Sequence, residues 1–153
     1  MLGDLSRWLQ AQLSASPNQV RNDARALRIA SAALLVEAAG ADHHFGTDEY
    51  AALVALLASR HGLAAGDAEA LLTHARARSA QAVSLTELTQ VVKTHTDEAG
   101  RRQILVDMWR VAFADGRIDK YEEYVIRQVA GLLYVPHLDY IHARELARGE
   151  QGP

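Results

Sequence analysis

An all-α fold follows from three features of the sequence. Apolar residues recur at three- and four-residue spacing along nearly the whole chain, the apolar share is mostly Ala and Leu, and no stretch alternates convincingly with period two. At 153 residues, 49% of them apolar and 23% charged, the chain is long enough for one domain with a real core. Turn residues between the periodic stretches divide it into about seven or eight helices in a single bundle.

Leu2, Leu5, Trp8, Leu9 and Leu13 put one apolar stripe on a short helix over residues 3–14. "SASPN" breaks it, with Ser16 placed as an N-cap and Pro17 in the first helical position, where its missing N–H costs nothing. The next helix runs to about Gly40; Leu27, Ile29, Ala30, Ala33, Leu34 and Val36 make its end apolar over much of the girth, which predicts a central position. Thr47 is set to cap a helix carrying Leu53, Val54, Leu56 and Leu57 inward, and Gly62 ends it. Leu71 and Leu72 anchor a helix from Asp67 to about Ser79, and "SLTE" at Ser84–Glu87 has capping-box spacing for one through Val91 and Val92. From Asp97, Ile104, Leu105, Met108, Val111 and Ala112 form another stripe. Tyr124, Val125, Ile126, Val129, Leu132 and Leu133 continue the pattern until Pro136, and "HLDYIHARELA" supplies the last helix before a frayed tail at 149–153.

Composition removes several classes of function. A net charge of -3 creates no field that would recruit nucleic acid. The chain has no cysteine, hence no disulfide, thiolate metal site or cysteine nucleophile. The N-terminus lacks the basic region and unbroken apolar core of a signal peptide, and no window reaches the roughly 18 apolar residues of a membrane span. A cytoplasmic protein is expected. Residues 1–15, with one Arg and one Asp, lack the basic face of a membrane-surface helix. Their stripe is therefore expected to dock on this domain or on a second copy of the chain, giving a homo-oligomer.

Residues 37–56, "EAAGADHHFGTDEYAALVAL", align without a gap on residues 110–129, "RVAFADGRIDKYEEYVIRQV". Ala41 and Asp42 fall on Ala114 and Asp115, Phe45 on Ile118, Glu49 on Glu122, Leu53 on Ile126 and Leu56 on Val129. Each copy reads as a long apolar helix, a short acidic turn and an amphipathic helix. Identities are few, and amphipathic helices resemble one another readily; the shared A-D-x-x-[FI]-x-x-x-E spacing is what marks a repeat. Two such hairpins packed about a pseudo-twofold axis would bring the acidic turns together.

The paired hairpins, the string "FADGRIDKYEEYVIRQVAGLLYVP" and the following "LDYIHARELA" resemble the TerB-like tellurite-resistance family, over roughly residues 25–148 and most strongly over 104–146. The resemblance implies a domain over 16–148: a compact helical unit with an acidic surface made by the two hairpins, and a role in metal sensing or stress response. The chain also resembles the TerB-like domain of DnaJ-type co-chaperones, but it lacks the HPD tripeptide of a J-domain. Where the family pattern reads A-D-G in the first hairpin, this chain has Asp42-His43-His44, so a histidine stands in place of the permissive glycine.

The second turn also matches half of a calcium loop. With Asp115 at position 5, Gly116 takes the turn at 6, Arg117 the carbonyl position 7, Asp119 position 9 and Glu122 position 12. Val111 and Phe113 occupy positions 1 and 3, so a complete loop is excluded. Helix punctuation accounts for much of the same stretch: Gly116 closes one helix, Asp119 caps the next, Glu122 reaches back, and Glu123 favours the helix dipole. That account leaves Asp115 without a duty and does not explain why Asp42 and Glu49 repeat the spacing. Two readings therefore stand, punctuation alone and punctuation with weak binding of a divalent cation (calcium or zinc) by Asp42, Glu49, Asp115, Asp119 and Glu122. The geometry expected of the second is that Asp42, Glu49, Asp115 and Glu122 share one face.

Histidines carry less information. His43 and His44 beside Asp42 would suit zinc, although adjacent loop histidines are ordinarily solvated. His137 reads as a turn residue before the last helix; His61, His74 and His95 stand alone and are expected at the surface or an interface. There is no G-x-S-x-G, G-x-x-x-x-G-K-[ST], H-E-x-x-H or di-iron E-x-x-H signature. The reading is a non-enzymatic domain whose acidic face binds a divalent cation. Its rivals are metal-free docking of a basic protein partner and, third, a carboxylate-metal hydrolase.

Overall fold

The computed structural model describes residues 17–40, 46–114 and 118–150, together with Gly3 and Leu5. The expected helix over 3–14, the Ser16 cap, Asp42, His43 and His44 in the first turn, and Asp115 and Gly116 in the second lie outside the described residues. Seven helices make up the described chain: α1 (Pro17–Ala38), α2 (Thr47–His61), α3 (Ala65–Gln81), α4 (Leu85–His95), α5 (Glu98–Phe113), α6 (Lys120–Leu132) and α7 (His137–Gly149). They contain no strand, and none is long and apolar enough to cross a membrane.

The apolar end of α1 is the centre of the bundle. Ala32, Ala33, Leu34, Val36 and Ala38 are all buried, and small side chains on so many faces let α3, α4, α5 and α6 pack around it. α1 hardly touches α2; it packs most heavily on α3, as α5 packs most heavily on α7. α1 also lies on α6 while α2 lies on α5, so the first helix of each repeated unit meets the second helix of the other. That reciprocity is what a twofold relation between the units requires. Around α5 the core is aromatic: Trp109 is buried between Phe113 and Tyr140, each with its ring centroid 5.7 Å away.

Most helix ends follow the sequence signals, with informative exceptions. Gly62 takes the left-handed conformation (φ 64°) and closes α2 as expected. α2 is capped by Gly46 rather than Thr47, which is the first helical residue. Ser84 does occupy the N-cap of α4, but its side chain makes no capping bond, and the Glu87 carboxylate accepts from the Val83 N–H at 3.3 Å instead; the box is shifted outward by one residue. α6 ends through Tyr134, the one described non-glycine residue with positive φ (57°), and the Val135 N–H returns to the Ala130 carbonyl. His137, expected in the turn, opens α7 and stacks on Tyr140. α7 continues through Gly149, and Arg110 holds Glu150, so the last turn is anchored beyond the point where fraying was expected to begin.

Candidate functional site

Glu49 lies in the first turn of α2 and Glu122 in the first turn of α6. Both line one pocket of about 300 Å³, floored by Ala39, Ala52, Leu53, Leu56, Val111 and Ala114 and edged by Arg110 and Glu150. Ala39 and Ala114 close to the two turns, and the first turns of α2 and α6 beyond them, border the same space. Two carboxylates from distant parts of the chain thus face one cavity. Among the described residues no Ser, Thr, Tyr or His lines it.

The two carboxylates differ in setting. The Glu49 carboxylate is partly exposed and accepts from the Gly46 N–H at 3.3 Å. Glu122 is 6% exposed, an unusual degree of burial for a glutamate. Asp119 does not line the pocket: it caps α6, its carboxylate accepting from the Glu122 N–H at 2.7 Å. Asp42 and Asp115 lie outside the described residues. Of the five candidate ligands, then, Glu49 and Glu122 come together and Asp119 is turned to helix capping. Among the described residues no three His, Asp or Glu side chains are grouped to hold a metal ion.

A further carboxylate stands near this end of the bundle. Tyr121, in the first turn of α6, has its phenol pushed up by burial and then by the charges of Glu37 and Asp119. Glu37, from the end of α1, accepts a hydrogen bond from the Ser79 hydroxyl of α3. Nothing in its spacing singled it out.

The pocket's cationic edge belongs to an ion-pair chain. Arg60 makes two bonds to Asp107, at 2.8 and 3.0 Å; Arg110 bonds Asp107 at 2.7 Å and grips Glu150 with two bonds of 2.6 Å. Gln103 adds a fourth donor to Asp107 at 3.2 Å, which explains how a carboxylate with 4% side-chain exposure is tolerated. The Arg110 hydrogen bonds hold the Glu150 carboxyl below its usual range, and the same contacts raise Arg110. Arg110 is therefore already neutralised by its own chain. Sequence reasoning passed over Asp107; the available signal was a lone acid inside "ILVDMWRV" with an arginine three residues on. His61, expected alone at the surface or an interface, is partly buried beside this chain. Burial and then Arg28 lower its pKa, against the pull of Asp107.

The sequence profile of the family described as Tellurite resistance protein TerB matches residues 28–145. That span takes in every described helix but the first part of α1 and the end of α7. No curated protein and no solved structure matches the chain.

Proposed function

The chain belongs to the TerB tellurite-resistance family, and from that membership we propose that it is a non-enzymatic module whose cleft between α2 and α6 takes up a divalent cation. The observation that carries this reading is the pocket shared by Glu49 and Glu122. The described donors there are oxygen only, which suits a hard cation such as calcium better than zinc. Asp42 and Asp115, on the turns leading into α2 and α6, would complete the donor set. Without a cation, carboxylates confined in one cleft repel one another. A cation relieves that repulsion and fixes α2 against α6, so that a partner surface formed by both is presented in one arrangement. Metal-free docking of a partner's Arg is the second reading, because Glu150 at the cleft edge already accepts a guanidinium from Arg110.

Thermal melts and calorimetric titrations separate the two. Calcium added to chelator-treated protein should raise the melting temperature, and Glu122→Gln and Asp115→Asn should each remove that gain. In chelator Asp115→Asn should be neutral or mildly stabilising, because it takes one charge out of an acidic cluster. If neither calcium nor zinc gives binding heat or moves the melt, the cation reading is dropped and docking of a basic partner takes its place.

A further inference from the structure

A second cavity, of about 430 Å³, opens beside the N-terminal half of α5. Its walls are two helical stripes: Arg21, Leu27, Arg28 and Leu35 on α1 face Ile104 on α5, and Arg60 closes the end. The floor is apolar; the rim carries the three arginines, His61 and the Asp107 carboxylate, which Arg60 and Arg110 already hold. Arg60 is committed to Asp107. Arg28 and Arg21 have no carboxylate partner among the described residues, and Arg28 is only partly exposed while Arg21 stands at the mouth. A guanidinium held part-buried against an apolar wall, with no direct carboxylate contact among the described residues, gains from any anion that can also cover that wall. The volume falls within the range of about 300–1,000 Å³ usual for small-molecule sites and is small for a docked helix.

We propose that this groove binds a small amphipathic anion, an aliphatic carboxylate whose chain lies on Leu27, Leu35 and Ile104 and whose head is held by Arg28 and Arg21. The groove shares no lining residue with the cleft of Glu49 and Glu122, so the proposal stands or falls apart from the cation reading. Bidentate geometry favours the planar carboxylate at Arg28, and Arg21 adds charge at the entrance.

Octanoate is the probe, titrated into the full chain in chelator, with binding followed by calorimetry and by amide NMR shifts. Saturable binding should move the amides around Leu27, Leu35 and Ile104. Arg28→Gln should weaken it about tenfold, the loss expected for one charge-assisted contact, and Arg21→Gln should weaken it less. Neither residue makes an ion pair among the described residues, so both variants should melt like the parent. Arg127→Gln, on α6 away from the groove, should bind octanoate unchanged. Octanol tests the head group and sulfate tests the floor. Equal affinity for octanol, equal affinity for sulfate, unchanged binding in Arg28→Gln, or no saturation in the millimolar range would each overturn the proposal.

Discussion

The turn entering α6 and the crossing of α2 with α5 both depend on an aspartate, used in different ways. Asp119 stands at a helix start and accepts one backbone N–H; water remains available to the rest of its carboxylate. Asp107 is buried inside α5 and meets two guanidiniums and an amide, one of them from another helix. The first interaction is local and survives small shifts in packing. The second exists only after α2 has reached α5, and it leaves nothing to compensate a missing partner. Local acids thus set where helices begin, while the buried acid fixes how they cross.

Asp107→Ala should give the largest effect, about 3 kcal/mol of stability by urea denaturation, at the low end for a broken buried pair because Arg60 and Arg110 can still reach water. A loss no greater than that of a surface substitution would erase the contrast with Asp119. Asp119→Ala comes next: about 1 kcal/mol, the usual worth of an N-cap, and the same with calcium or chelator. A loss seen only with calcium present would make Asp119 a ligand first and a cap second. Gly46→Ser should gain a few tenths of a kcal/mol, because α2 lacks the side-chain cap that α6 has. The Gly46 backbone (φ -62°, ψ 165°) and the open space around it accept a side chain.

The smallest effect is a slope with pH. His61 is held below its ordinary pKa of 6.5. As pH falls through that value the unfolded chain takes up the proton first, so stability drops from there down to the folded pKa. His61→Gln should therefore lose less stability than the parent between about pH 7.5 and about pH 5.5. Parallel curves would show that burial at this crossing leaves the imidazole untouched.

How much was readable beforehand follows the same division. Helix class and most boundaries were legible because Gly62, Asp97, Asp119 and Pro136 act on their immediate neighbours. The common cavity of Glu49 and Glu122 was anticipated through the repeated spacing, which records one local arrangement twice. Asp107 with Arg60 escaped notice because the partners lie 47 residues apart and neither carries a local mark. The groove of Arg21, Arg28 and Arg60 was hidden for a related reason: no spacing marks these arginines as a group, and only the packing of α1, α2 and α5 brings them to one cavity. Gly46 replaced Thr47 as cap by a shift of one residue, a distance over which turn chemistry decides and periodicity is silent.

The slight contact between α1 and α2 bears on how the chain folds. A bundle of helices usually forms quickly when each helix pairs with its sequence neighbour, since little chain must be closed before contact is rewarded. Here α1 gains most of its burial from α3 and α4, and side-chain bonds span 40, 42 and 47 residues at Arg110–Glu150, Glu37–Ser79 and Arg60–Asp107. Closing such spans comes before their reward, so this helical chain should fold more slowly than a bundle of the same length with only neighbouring contacts.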